Sequence, residues 1–155
     1  MSDRESLSSV WSGSQISELA VKRLHEKAIL PTRTHADDAG MDLYCLENFE
    51  IKPGNGLVAR TGIAMALPAG FVGMVVDRSS MAKRGLKTAG GIIDAGYRGE
   101  IHIILRNLSN ESQYIDAGSR IAQLMVVPIV TPVIKEVSEL DETARGSKGF
   151  GSSGK

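Results

Sequence analysis

Short apolar segments, each closed by turn-forming residues, dominate the chain between Leu19 and Val133. None of them keeps a 3.6-residue hydrophobic period long enough for a sizeable helix, and several alternate with the two-residue period of a half-buried strand. The clearest turn signals between them are Pro53-Gly54-Asn55-Gly56, Pro68-Ala69-Gly70 and Asp116-Ala117-Gly118. Many short strands at turn spacing predict an all-β domain built as a sandwich, barrel or jelly roll. Only the run SSMAKRGL suggests a short helix within it.

Charge and cysteine content narrow the classes of protein that this chain can belong to. The 155 residues suit one domain, and 18 Lys and Arg balance 18 Asp and Glu. No excess charge therefore favours bulk nucleic acid or an anionic membrane as a partner. Cys45 is the single cysteine, and no apolar run approaches the roughly 20 residues of a membrane helix. We expect a cytoplasmic protein.

Composition divides the chain into three parts. Residues 1–18 form a polar leader that we expect to be flexible, residues 19–140 carry the β domain, and residues 141–155 are rich in Gly and Ser. This last segment is either a floppy terminus or a lid. As a lid, its glycines would let backbone N–H groups approach a phosphate, and Phe150 would stack on a planar ring.

The stretch GGIIDAGYRGEIHI, residues 90–103, places a carboxylate at the rim of an apolar hairpin. Ile92 and Ile93 predict buried strand, and the alternation in IHIIL predicts the next strand. Asp94 begins the reversal between the two strands, with Gly96 in a position that suits positive φ. The Asp94 side chain either caps its own turn or serves chemistry.

Polar residues also end or interrupt three other apolar segments. Arg78, Ser79 and Ser80 follow FVGMVV, where the serines either cap the short helix or form a phosphate cradle with the guanidinium group. Asp42 lies within MDLYCL, and a buried aspartate needs a partner, either an arginine or a metal site. Gln123 interrupts RIAQLMVV and is either a satisfied core residue or an orienting donor.

Five stretches occur in a fixed order: AGMDL (39–43), RSSMA (78–82), GIIDAGYRGE (91–100), RIAQL (120–124) and RGSKGFGSSG (145–154). Together they resemble the five motifs of the trimeric deoxyuridine triphosphate nucleotidohydrolases (dUTPases). The resemblance implies a jelly-roll-like β-barrel subunit and a homotrimer with active sites between subunits. It also implies Mg²⁺-assisted hydrolysis of dUTP to dUMP and pyrophosphate, which cleanses the nucleotide pool and supplies dUMP for thymidylate synthesis.

The third motif of the resemblance implies how the base and sugar are recognised. Asp94 would hold and deprotonate the water that attacks the α-phosphorus. Tyr97 would lie under the deoxyribose and leave no room for a 2′-hydroxyl group. Backbone groups around Gly91 and Ile92 would bind the uracil edge.

The remaining motifs imply a triphosphate site. Gln123 would contact the α-phosphate, and Asp42 would support Arg78 and a hydrated Mg²⁺ that has no direct protein ligand. The residues that would bind the phosphates in one subunit are Arg78, Ser79 and Ser80. From the C-terminal lid of a neighbouring subunit, Arg145 would clamp the γ-phosphate and Phe150 would stack on uracil, with further phosphate contacts from Gly151 and Ser152.

Some positions depart from the family pattern, and two alternatives remain. Asp77 stands where proline is frequent, Ser80 where glycine is frequent, and Gly90-Gly91 makes the run before the hairpin flexible. A related dCTP deaminase would carry a catalytic glutamate at the position of Ile104. A non-catalytic nucleotide-binding protein would lack the water-holding acid, whereas this chain has Asp94.

Overall fold

The structure, a computed structural model, describes residues 16–144 and 146–147. Within them the chain forms strands β1–β11 and one short helix, α1. Their bounds are β1 Ala20–Arg23, β2 Met41–Tyr44, β3 Phe49–Ile51, β4 Gly56–Arg60, β5 Ile63–Ala66, β6 Phe71–Val76, α1 Ser79–Lys83, β7 Leu86–Ala89, β8 Ile92–Ile93, β9 His102–Asn107, β10 Gln113–Ile115 and β11 Arg120–Pro128. The predicted all-β class is confirmed.

The strands form antiparallel sheets that join distant parts of the chain. The largest sheet has the order β2-β11-β6-β8, and a three-stranded sheet has the order β4-β9-β7. Two smaller pairs, β1-β5 and β10-β3, complete the pairing within the described residues. Because the last long strand returns to lie between β2 and β6, the chain closes on itself in a jelly-roll-like β fold.

Alternating side chains of these strands build one apolar core. In β9, Ile103 and Leu105 are buried while His102 and Ile104 face outward, as the alternation in the sequence predicts. Leu43 and Leu124 pack into the same cluster from β2 and β11. Each fully buried side chain of this size contributes about 1.5–3 kcal/mol. The core therefore ties together the strands from which the polar residues of the candidate site extend.

The structure corrects three expectations about residues 90–103. The predicted hairpin does not form, because β8 pairs with β6 whereas β9 pairs with β4 and β7 in another sheet. Residues 94–101 therefore form a loop between two sheets, called here the β8–β9 loop. Ile93 is buried, but Ile92 is 61% exposed, because β8 has only two residues and successive strand side chains point to opposite faces. Positive φ occurs at Gly90 (60°) rather than at Gly96. At Gly91 a side chain would collide with the Val75 carbonyl, so the close approach of this residue to β6 requires glycine.

The short helix is confirmed, but of the two alternatives for Ser79 and Ser80 the helix cap is not observed. Arg78 occupies the N-cap position and makes no side-chain capping bond, so Ser79 and Ser80 lie in the first turn itself. Met81 is buried and anchors the helix to the core. No helix in the described part of the chain is long and apolar enough to span a membrane.

Candidate active site

An open cavity of about 490 Å³ lies where β2, the start of α1 and β11 meet. Three of the five motif stretches contribute to it, although they are far apart in the sequence. The residues that line it are Thr34, Asp38, Ala39, Gly40, Asp42, Arg78, Ser79, Ser80 and Gln123. The structure thus brings together five residues that the sequence singled out, and it adds Gly40 and the 34–39 loop.

Asp42 holds the arginine side chain that lines this cavity. Arg78 Nε donates to Asp42 Oδ1 at 2.6 Å, and Arg120 donates to the other carboxylate oxygen at 3.3 Å. The Asp42 side chain is only 14% exposed, so this charge needs such partners. Of the two interpretations of Asp42, the arginine pair is the one observed. Arg78 also donates to Ser80 Oγ at 3.0 Å, which aligns the guanidinium group with a hydroxyl group.

A β-bulge in β11 sets the position of Gln123. Arg120 pairs with Tyr44, but Ala122 pairs with Leu43, so β11 carries one extra residue at this point. The shift places Gln123 opposite Asp42 instead of Met41. Bulges re-aim side chains in this way near functional sites.

Asp77 connects Gln123 to the neighbouring sheet. Its backbone carbonyl accepts a hydrogen bond from Gln123 Nε2 at 2.8 Å, while its carboxylate accepts from the Thr88 N–H and hydroxyl groups at 2.7 Å each and from Lys87 Nζ at 2.6 Å. Burial raises the pKa of the Asp77 carboxyl, but the hydrogen bonds from Lys87 and Thr88 outweigh that effect and leave the pKa below its usual range. A proline at position 77 would only restrict the backbone. Asp77 does more, because its carboxylate joins the end of β6 to β7.

The residues of β8 and of the β8–β9 loop lie apart from the cavity. Asp94 is exposed in the turn after β8, and neither Asp94 nor Tyr97, Gly91 or Ile92 belongs to the cavity lining. The Tyr97 N–H closes the turn by donating to the Asp94 backbone carbonyl at 3.0 Å. Within the residues that the structure describes, a carboxylate cap is therefore not what closes this turn.

Sequence reasoning missed the residues that fasten the C-terminal end of this loop. The Tyr97 hydroxyl donates to the backbone carbonyl of Glu100 at 2.9 Å. The Glu100 carboxylate accepts from the Gly62 N–H at 2.8 Å and from the Arg60 guanidinium at 3.2 Å. Glu100 ends the third motif stretch, but its partners come from the β4–β5 corner, which carries no motif. The candidate residues Arg145, Phe150, Gly151 and Ser152 lie outside the described residues.

Comparisons with known proteins agree on one family. A family model described as dUTPase matches residues 26–154. The deoxyuridine 5'-triphosphate nucleotidohydrolase of Clostridium novyi is 44% identical over 88% of this chain and 99% of its own length. The enzyme of the same name from Rhodococcus erythropolis is 46% identical over 88% of this chain and 85% of its own length.

Solved structures show the same likeness. The dUTPase of Staphylococcus bacteriophage 80alpha with dUpNHpp superposes with a TM-score of 0.84, at 35% identity, over 89% of this chain and 99% of that chain. A mutant dUTPase from phage phi11 of S. aureus, described as coordinating a structural Mg(II) ion, gives a TM-score of 0.76 at 30% identity, over 81% of this chain and 99% of that chain.

Proposed function

This chain belongs to the dUTPase family and is a dUTP diphosphatase, and we propose that it works through an Asp94-activated water. The water oxygen bonds to the α-phosphorus as its proton passes to the Asp94 carboxylate. The bond from the α-phosphorus to the bridging oxygen breaks in line, and pyrophosphate leaves dUMP behind. Such in-line chemistry depends chiefly on positioning and on neutralising phosphate charge.

The cavity between β2, α1 and β11 is the observation that carries this proposal. It gathers the Arg78 guanidinium, the hydroxyls of Ser79 and Ser80 and the Gln123 amide, all of them groups that bind phosphate oxygens. Asp42 fixes the arginine from behind through the 2.6 Å bond. We assign the triphosphate to this cavity, with Gln123 at the α-phosphate.

Mg²⁺ fits this arrangement as an ion carried by the triphosphate. Both Asp42 oxygens already accept hydrogen bonds, one from Arg78 and one from Arg120. Asp42 would therefore contact the ion through a water molecule and not as a direct ligand. When bound, Mg²⁺ offsets the phosphate charge and holds the phosphate oxygens in the reactive shape. The structural Mg(II) described for the phage phi11 enzyme supports metal use in the family.

We place nucleoside recognition on β8 and the β8–β9 loop. Backbone groups at Gly91 and Ile92 bind the uracil edge, and the Tyr97 ring lies under the deoxyribose, where it excludes a 2′-hydroxyl group. Ile92 and Tyr97 are 61% and 44% exposed in one subunit, so both are accessible to a ligand as this assignment requires.

A homotrimer completes each site, since Asp94 and Tyr97 do not line the phosphate cavity of their own subunit. In the proposed assembly, the β8–β9 loop of one subunit faces the cavity of its neighbour. The segment after β11 supports association, because Val130, Val133 and Ile134 are 88%, 94% and 95% exposed in one subunit. An apolar segment this exposed in a monomer is suited to burial against another copy.

The C-terminal segment closes the site in this proposal. Residues 1–18 are a leader, residues 19–140 the β domain, and residues 141–155 a lid in which Arg145 clamps the γ-phosphate and Phe150 stacks on uracil. Gly151 and Ser152 add phosphate contacts. The family match to residue 154 supports counting this segment as part of the enzyme.

Product analysis tests the proposal. Purified protein is incubated with dUTP, dCTP, dTTP or UTP, with Mg²⁺ or with EDTA, and the products are separated by ion-exchange chromatography. We expect dUMP and pyrophosphate from dUTP alone, and only with Mg²⁺. Ammonia released from dCTP would instead identify a deaminase.

Asp94→Asn tests the assigned base. The amide keeps the shape of the side chain but cannot accept the proton, so we expect unchanged dUTP binding by calorimetry and a loss of kcat of at least about 10²-fold. Near-normal turnover in this variant would refute the role of Asp94.

A further inference from the structure

We propose that Glu100 is a positioning residue for sugar selection, acting through Tyr97. Its carboxylate fastens the C-terminal end of the β8–β9 loop to the β4–β5 corner, and its backbone carbonyl fixes the Tyr97 hydroxyl. The inference rests on the proposed contact between Tyr97 and the deoxyribose.

The Glu100 carboxylate is held from two directions. Oε1 accepts the Gly62 N–H at 2.8 Å and Arg60 Nε at 3.2 Å, while Oε2 accepts a terminal Arg60 nitrogen at 3.2 Å. The Glu100 side chain is 14% exposed, so these charge-assisted bonds are partly shielded from water. A two-pronged arginine contact plus a backbone N–H defines the position of a carboxylate more tightly than one bond could.

The adjacent residue strengthens this anchor. Ile101 is fully buried, its N–H donates to the Ile63 carbonyl at 2.8 Å, and its own carbonyl accepts the Thr61 hydroxyl at 2.6 Å. The chain at Glu100 and Ile101 is therefore bonded to nearly every residue of the corner between β4 and β5. The C-terminal end of the β8–β9 loop is thus held by several bonds, while Asp94 at its other end is exposed.

The anchor reaches Tyr97 through one residue. The carbonyl that accepts the hydrogen bond from the Tyr97 hydroxyl at 2.9 Å belongs to Glu100 itself. The bonds between the Glu100 carboxylate and the β4–β5 corner, called here the clamp, are therefore linked to the phenol through Glu100 alone. The ring lies over Gly99, where a Cβ would come within 2.6 Å of the ring carbon Cζ. Gly99 thus admits the ring, and Glu100 determines where the ring stops.

Loosening this clamp affects the two sugars differently. A ring that excludes a 2′-hydroxyl group by contact must be held within a fraction of an ångström. dUTP has no hydroxyl at that position and tolerates a small displacement of the ring, whereas UTP gains the space it lacks. The ratio of kcat/KM for dUTP to that for UTP is therefore the quantity that Glu100 controls.

Glu100→Ala and Glu100→Gln test the clamp, and Glu47→Gln is the matched control. Glu47 accepts a hydrogen bond from the same guanidinium group at 3.2 Å, but its side chain is 63% exposed. Among the described residues it makes no hydrogen bond to the β8–β9 loop. We expect Glu100→Ala to lower the dUTP/UTP ratio by about tenfold and Glu100→Gln by a smaller factor, with Glu47→Gln within about twofold of wild type. Both substrates are measured on one preparation, so any loss of folded protein cancels in the ratio.

Tyr97→Phe shows whether the effect passes through the phenol. With the hydroxyl removed, Glu100→Ala in the Tyr97→Phe background should change the ratio by less than about twofold. Arg60→Met removes the guanidinium group without changing a residue of the β8–β9 loop, and it should lower the ratio as Glu100→Gln does. This variant replaces Glu100→Ala in the test if Glu100→Ala does not fold.

An unchanged ratio in Glu100→Ala and Arg60→Met would overturn the inference, as would an equal loss in Glu47→Gln. Failure of the proposed contact between Tyr97 and the sugar has a different signature: Tyr97→Phe and Tyr97→Ala would both leave the ratio unaltered. Failure of the activity itself would appear in the wild-type protein, as no hydrolysis of dUTP.

Discussion

The substitution Gly40→Ala should reduce the turnover of this protein much more than its stability. Gly40 lies against the Gln123 side chain, and a Cβ at this position would lie 3.2 Å from Gln123 Cβ, 3.0 Å from Cδ and closer still to Oε1. The backbone of Gly40 does not have the positive φ that would forbid alanine. The added methyl group therefore acts through the clash with Gln123.

The two consequences of this clash differ in size. The end of the Gln123 side chain must move by roughly 1 Å to restore ordinary carbon contacts of about 3.5–4.0 Å. Because that end is flexible, the main loss of stability is the 2.8 Å bond to the Asp77 carbonyl, worth about 0.5–1.5 kcal/mol. A displacement of about 1 Å next to the reacting phosphate reduces turnover by about 10²-fold.

Kinetics and melting together test this prediction. For Gly40→Ala we expect kcat for dUTP to fall by about 10²-fold, while the Tm falls by about 1–6 °C. Pyrophosphate release measures the first quantity and scanning calorimetry the second. Gln123→Ala provides the control, because it removes the atoms Cδ and Oε1 and leaves only the milder 3.2 Å contact with Cβ, so adding Gly40→Ala to it should change kcat by less than about twofold.

Retention of kcat within about threefold would refute the reasoning, because it would mean that the Gln123 amide need not occupy its observed position. A further loss of more than about tenfold when Gly40→Ala is added to Gln123→Ala would contradict it in another way, since the methyl group would then act on something other than the end of the Gln123 side chain.

Three further outcomes follow from the structure. Asp77→Asn should lower the Tm at pH 7 through loss of the Lys87 ion pair, a difference of about 0.5–1 kcal/mol in the free energy of unfolding. Because the pKa of the Asp77 carboxyl is lowered in the folded protein, this difference is complete above the ordinary carboxyl pKa of 3.8 and is lost as the pH falls through the lowered pKa. The difference in Tm should therefore be smaller at pH 3 than at pH 7. Asn107→Ala should destabilise the protein by about 2–4 kcal/mol in urea unfolding, because the buried amide donates to the Ile51 and Glu111 carbonyls. Removal of residues 145–155 should lower kcat at least about tenfold while sedimentation shows an unchanged oligomer, and a fully active truncated protein would contradict the lid.

Much of this molecule could be predicted from local sequence patterns. The alternation in β9 identified Ile103 and Leu105 as core residues, and the run after FVGMVV identified the short helix. The predictions failed where two residues compete for one local role. Ile92 was expected to be buried with Ile93, but a strand of two residues can bury only one of them.

The sequence alone determined which chemical groups this protein carries and the strands on which they lie, because hydrophobic periodicity and turn residues act over a few neighbouring positions. Only the tertiary structure decided which groups meet. The bulge that sets Gln123 opposite Asp42, and the arginine at the end of β4 that clamps Glu100, both join residues about 40 to 80 positions apart. Such contacts depend on strand register and sheet order, which arise from packing across the whole core and leave no local pattern in the chain.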